Sequence, residues 1–419
     1  MPPKLKTQYH HYVPRFMLRK WKVEYTPPPP DASPDPSTSP TSPSRKRRGG
    51  RGRKRSGPSG GAGHARPEDY IQAYNVQTDV IQVGTPIAKA FGNTDMYKND
   101  DEEDAANVFR VEELFSKLES QAAQILQKLD KAISGADAST SVKLTRKEVN
   151  TLRKFLFLLS YRNEHHAAQY LEERFDPMTK KEVDAFRVKE GLKDSYAVFL
   201  SNLRNFLESE HWEIPDNQHI LRSDRDAYHT ELHARHLAFF IAPDDAEFVI
   251  TNNGLGLWEG TDLPSLSLFM NILTPGCNPG EANWKHTTTY PVSPRLLVML
   301  RSNAMMPMQK FLDAGFTKEE AAAATPSVWG DKIPDNSYYK DFPRSMASVR
   351  YVPPVRGHDA LAALIQNQRE LGRRVDDVLT FQLHMLSSEQ SFRVNSLRLE
   401  NSPVWLTFKS PRKLIETLR

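Results

Sequence analysis

Between residues 111 and 129 the apolar positions Val111, Leu114, Phe115, Leu118, Ala122, Ile125 and Leu129 recur at three- and four-residue steps. That spacing predicts an amphipathic helix. Gly135 and the Ser/Thr cluster at 139–141 end it. Thr145-x-x-Glu148 then reads as a capping box opening a longer helix over residues 145–171, closed by Asp176-Pro177. Tyr196, Phe199, Leu200, Leu203, Phe206 and Leu207 mark a further helix running up to Pro215, and residues 226–240 look helical as well. Beyond Pro243 the pattern changes. EFVITNN, TTTYPVSP and RLLVMLRS read as strands with their loops, followed by a helix at 360–373 and strands near 378–383 and 404–408. Short strands are expected early, at 21–25, 70–76 and 80–83. The predicted class is α+β: a small N-terminal β element, a central helical block and a C-terminal, mostly β part.

Residues 26–68 fit neither period. They hold ten prolines, seven glycines and nine Arg or Lys, with Asp31, Asp35 and Glu68 as the only acids. Three alanines are the only apolar side chains, too few to offset the entropy of ordering the backbone, so a disordered insert is expected. Residues 1–25 and 69–419 are then a single module interrupted by this loop, which a fold tolerates because closure entropy grows only logarithmically with length. The insert alone is +6, so the chain's net charge of +4 leaves −2 for everything else.

Composition excludes several classes. No apolar run approaches the ~18–20 residues of a membrane span, and residues 1–9 lack a secretory apolar core. The single cysteine, Cys277, excludes an intrachain disulfide and a Cys-rich zinc module. An intracellular protein, nuclear or cytoplasmic, is expected.

The opening QYHHYVPRFMLRKW at residues 8–21 resembles the start of domain-of-unknown-function family 4238, whose fungal members carry a terminal stretch of the HHYVP…LR.W/F type. YIQAYNVQTDVIQVGTPIAKAFGNTDMY, the paired helices ending in LSYRN, EFVITNNGLGLWEG, YPVSPRLLVMLRSN and FRVNSLRLEN are similar to later blocks of that family in the same order. The resemblance covers nearly all of the chain except the insert. It implies a shared fold and brings no established activity. Family members often have an acidic residue where this chain has Asn252-Asn253, which weakens an enzyme reading.

Within QYHHYVP, Val13 precedes proline and is biased to extended geometry, while Pro14 suits a first helical position. Phe16, Met17 and Trp21 then suggest a short amphipathic helix. His10 and His11 point to opposite faces of an extended segment, so they do not chelate one metal together. Either can act as a general base, or fix the chain entry by bonding to backbone while Tyr12 packs and Arg15 lies beside it. HHxVP is also similar to the first histidine of HNH nucleases, but the next histidine is His64, inside the insert.

On the 145–171 helix the apolar face of Leu152, Phe155, Leu156 and Leu159 continues onto Arg162, Asn163, His166 and Tyr170. Polar groups there are either paired or line a cavity. Arg162 can hold a carboxylate or phosphate beside a titrating His166, or tie the helical block to the strands, with Glu113 or Glu119 as partner. His229, His233 and His236 fall at i, i+4 and i+7, but the outer pair is about 10.5 Å apart along a helix, which strains a common zinc site. No metal is assigned there. Asn252, Asn253 and Gly254 form a turn tolerant of positive φ, and Glu259 at its end is either an acid or a turn cap. Arg301 and Asn395 stand out only through the family blocks. GxxxxGK[ST], GxSxG and CxxC are absent, and the sequence names no cofactor.

Arg45, Lys46, Arg47, Arg48, Arg51, Arg53, Lys54 and Arg55 place eight positive charges in eleven residues without an acid. Such a run suits a nuclear import receptor or salt-sensitive contact with nucleic-acid phosphates; without interleaved aromatics it does not support base stacking. Ser42-Pro43-Ser44-Arg45 suits a proline-directed kinase, whose phosphate would partly neutralise the run. Two functions remain open: a binding module with this basic insert, or a hydrolase or nuclease built from His10 or His11, Arg162, His166 and the 252–259 loop.

Overall fold

A computed structural model describes residues 7–27, 69–98, 108–134, 140–233, 235–253, 255–261, 284–302, 337–343, 347–350, 377–402 and 404–418. The basic run, Cys277 and the helix expected at 360–373 lie outside these residues. The class is α+β.

Chain entry is made by β1 (Tyr9–His11), α1 (Arg15–Leu18) and a 3₁₀ turn (Arg19–Trp21). The strand expected at 21–25 is reduced to one bridge, between Val23 and Tyr70. That bridge brings the two flanks of the 26–68 insert side by side. β2 (Tyr70–Asn75), β3 (Val80–Pro86) and β4 (Gly92–Thr94) follow, then the helical block of α2 (Arg110–Ile133), β5 (Ser141–Thr145), α3 (Arg146–Tyr161), α4 (Glu164–Leu171), α5 (Pro177–Glu190), α6 (Ser195–Glu208) and α7 (Arg222–His233). The last part holds β6 (Arg235–Ile241), β7 (Ile250–Thr251), β8 (Leu257–Thr261), β9 (Trp284–Pro291), β10 (Leu296–Ser302), β11 (Ser348–Arg350), β12 (Val378–Met385), α8 (Ser388–Glu400), β13 (Trp405–Phe408) and α9 (Pro411–Leu418).

Three sheets result. The largest runs β11-β12-β6-β10-β9-β8, with β5 also pairing β12. A second runs β3-β2-β13-β7, and β1 pairs β4. In the large sheet, Leu237, Phe239 and Ile241 of β6 and Leu296, Val298 and Leu300 of β10 join the core shared with the helices. The alternate residues Ala238, Phe240, Leu297 and Met299 face a second core with Tyr339, Phe342, Leu386 and Val394.

Burial on both faces explains why residues 226–240 do not form one helix. A strand covered on both sides is a continuous apolar run without alternation, and periodicity cannot separate it from a buried helix. α7 therefore ends at His233, and His236 stands on β6 opposite Arg301. The three histidines share no helix, and His229 is exposed. Among the described residues no three His, Cys, Asp or Glu side chains are placed to hold an ion. No helix there is long and apolar enough to cross a membrane.

The 145–171 helix is also two. Thr145 makes the expected capping box with Glu148. The chain then breaks at Arg162 and Asn163, because the Asn163 side chain accepts from the His166 N–H and donates to the Ser160 carbonyl, both at 2.7 Å. A local side-chain bond of this kind replaces a helical backbone bond and starts α4. Asp176-Pro177 both closes the preceding segment and opens another: Asp176 caps α5 and Pro177 is its first residue.

Candidate functional site

Pairing of β1 with β4 sets His10 opposite Asn93 and His11 opposite Gly92. A Cβ at position 92 would lie 2.4 Å from the His10 carbonyl oxygen, so only glycine permits this approach. The two imidazoles point apart, as adjacent strand residues must. His10 Nδ1 accepts from the Tyr97 N–H at 3.0 Å, so in the neutral ring the proton sits on Nε2. His11 Nδ1 faces the Ala90 carbonyl at 2.9 Å and must carry the proton itself. The neighbours thus adopt opposite tautomers. Burial lowers the pKa of both, His11 to about 4; Asp95 opposes the fall at His10, and the Ala90 carbonyl opposes it at His11.

His10 leads to Arg162. Its ring stacks on Tyr97 at 5.4 Å, Tyr97 packs on Phe115 at 5.3 Å, and the Arg162 guanidinium lies 4.5 Å from the Phe115 centroid and 5.6 Å from that of Tyr97. Two turns of α2 bring Glu112 and Glu119 to the same point. Glu119 forms a close ion pair with Arg162, and Glu112 lies 3.9 Å away. Glu113, the other acid considered, pairs with Arg110 instead. Burial works against the charge on Arg162, but Glu119, with Tyr97 and Glu112, outweighs it and raises the pKa. Burial pushes Glu112 up to about 7, with Arg162 restraining the rise.

The centre of the cluster is closed, while its two carboxylates keep 20–27% exposure. His10 is 1% exposed, Arg162 2% and Tyr97 0%. Four of its buried polar atoms nevertheless have no hydrogen-bond partner among the described residues: His10 Nε2, Tyr97 Oη, Glu112 Oε2 and Arg162 Nε.

The remaining sequence candidates go elsewhere. His166 sits in an aromatic cage of Tyr161, Tyr170 and Phe199 and is pulled down to about 4 by burial. It is the Tyr161 side of the α3–α4 junction, bonded to Asp224, that it touches, not the Arg162 side. Tyr12 packs edge-on against Phe91, and Arg15 is exposed. Asn163 is spent as a helix cap. Asn252 both donates to and accepts from the backbone of Trp405, extending the β7–β13 ladder, and Asn253 is exposed. Glu259 accepts from Ser337 Oγ and the Tyr338 N–H, a turn-capping role. Arg301 donates to the carbonyls of Phe342 and Pro343, while Asn395 bonds the backbone of Val249 and Glu247.

On the other flank of α2 lies a groove of about 570 Å³ between α2, α3 and the turn after α6. Arg110, Lys117 and Gln121 of α2 and Lys147, Thr151 and Lys154 of α3 line it, together with Glu208 at the end of α6 and Glu210 and Trp212 after it. Sequence reading missed these residues. Their spacing, i, i+7, i+11 on α2 and i, i+4, i+7 on α3, is also the ordinary spacing of a solvated helix face.

Over residues 9–412 the chain matches the family model described as protein of unknown function (DUF4238). The chain belongs to the DUF4238 family. The matched range begins at β1 and ends within α9, so it includes the His10–Arg162 cluster and the groove. No curated protein and no solved structure matches the chain.

Proposed function

We propose that this DUF4238 module is a binding unit and that the basic run at 45–55 gives it a nuclear address or a contact to nucleic-acid phosphates. The observation supporting this reading is the contrast across α2. The His10–Arg162 cluster is closed around its own ion pair, whereas the lysine-lined groove is open. Groups that are 1–2% exposed cannot touch a substrate, so the cluster reads as a tie between the chain entry, α2 and α3. The Val23–Tyr70 bridge ties the chain together on either side of residues 26–68, which is consistent with a segment that acts apart from the fold.

The test removes residues 44–56. Nuclear accumulation and DNA retention at low salt should both fall, with the melting temperature unchanged. Unchanged localisation together with unchanged retention over a salt series would reject a role for the run.

A hydrolase or nuclease remains the second reading, on one observation: buried polar atoms of His10, Glu112 and Arg162 lack a hydrogen-bond partner among the described residues, as groups that serve a trapped water or a substrate would. For such an enzyme, His10→Gln would abolish ester or phosphodiester hydrolysis without unfolding the chain. Absence of any such activity in the intact protein rejects it.

A further inference from the structure

The α2–α3 groove is lined by four basic residues, Arg110, Lys117, Lys147 and Lys154, against two acids, Glu208 and Glu210, which leaves an excess of positive charge. Lys154 Nζ donates to the carbonyls of Leu207 at 2.9 Å and Ser209 at 2.7 Å, at the C-terminal end of α6. An ammonium has three donors, so one N–H is left without an acceptor among the described residues. No carboxylate there is within ion-pair distance of it either. Burial pulls this amine down to about 8; Glu210 and Glu213 oppose the fall and Lys117 adds to it, which places Lys117 close enough to be felt. Lys117 and Lys147 likewise have no acidic partner among the described residues. Of the basic residues lining the groove, Arg110 is the one that is paired, with Glu208 and Glu113.

A part-buried ammonium with one donor unused is under-satisfied, and a doubly charged anion that accepts from it and from the two exposed lysines nearby relieves that. The lining is not all charged: Leu114, Leu207 and a half-buried Trp212, packed edge-on against His211, also border the groove. Residues 110 to 121 of α2 span only about 16 Å, and about 570 Å³ is the volume of a small-molecule pocket rather than of a polymer track.

We propose that this groove binds a phosphomonoester with an aromatic body, the phosphate on Lys117, Lys147 and Lys154 and the ring against Trp212. This deepens the reading of the module as a binding unit and rests on it.

Calorimetry on the full chain tests it, using phenyl phosphate and adenosine monophosphate as probes and phenol and adenosine as their uncharged counterparts. At least one ester should bind, and the matching uncharged compound should bind at least tenfold more weakly. Lys117→Gln with Lys147→Gln, both exposed and free of structural bonds, should weaken the ester at least tenfold. Trp212→Leu should weaken the ester but leave inorganic phosphate unaffected. The chain lacking residues 44–56 should bind as the full chain does. Loss of binding in that chain would place the phosphate contact in the basic run and overturn the groove site, while supporting the run's role. Silence of both esters, or indifference to the double lysine change, overturns the ligand class; the localisation assay of the 44–56 deletion then still decides the run separately.

Discussion

α2 carries two polar stripes with opposite fates. Glu112 and Glu119 turn toward the buried Arg162 guanidinium, which Tyr97 and Phe115 cover; Arg110, Lys117 and Gln121 border open space. A charge that finds its counter-ion inside the molecule is spent on architecture, because freeing it leaves the partner buried and unpaired. A charge left facing a groove without a partner is available to something else. The two histidines that dominate the sequence fall on the architectural side of this divide.

Removing Arg162 should break the contrast hardest. Arg162→Met leaves Glu119 and Glu112 without their counter-ion and should cost about 3–5 kcal/mol in urea unfolding. Adding Glu119→Gln should recover part of that, as a double-mutant cycle would read. A loss under about 1 kcal/mol would mean the cluster is not sealed.

Glu112 offers a pH-resolved version. Its folded pKa, about 7, lies above the ordinary 4.5, so the native state keeps the proton after the unfolded chain has released it. Its contribution is therefore fully present below pH 4.5 and is lost as pH rises to about 7. Glu112→Gln should remove that loss, gaining about 1–2 kcal/mol over the wild type between pH 5 and 8, a modest figure because the side chain keeps 27% exposure. His11 acts in the opposite sense. Held near 4 against an ordinary 6.5, it favours the fold increasingly as pH rises through that interval. His11→Gln should therefore flatten the acid side of the stability curve, as melting temperatures from pH 4 to 7 would show.

Tyr97→Phe keeps the ring stacks and deletes only an orphaned hydroxyl, so its effect should stay within about 1 kcal/mol. A loss above about 2 kcal/mol in chemical denaturation would reveal a water or ligand bridging the orphaned atoms, and would revive the enzyme reading. The smallest effect belongs to the groove. Lys117→Gln with Lys147→Gln should change stability by no more than about 0.5 kcal/mol, since neither side chain holds the fold together.

Much of this architecture was legible along the chain. The apolar stripe of α2, the Thr145–Glu148 capping box, the apolar face of α6 and the Tyr70 and Val80 strands are set by local spacing, and local spacing survives folding. Errors fell where local signal is ambiguous. Residues 235–240, the end of the helix expected at 226–240, read as helical because both faces of β6 are covered, and a single helix through Arg162 leaves out what Asn163 does to its own backbone. Of the site, Arg162 with Glu119 was recoverable as an acid–base complement between neighbouring helices. Tyr97 and Glu112 carried no such signal.

The sequence by itself determined the family, the α+β class, the segregation of positive charge into residues 26–68 and the opposed faces of His10 and His11, all of which follow from composition, order and strand geometry. Tertiary structure decided which polar groups are spent and which remain available. That depends on whether residues far apart in the chain arrive as partners: Glu119 reaches Arg162 and Trp405 reaches Asn252, while among the described residues no acid comes within ion-pair distance of Lys154. Burial and pairing set the energy of a charge, and both are properties of the packed neighbourhood rather than of the residue that carries it.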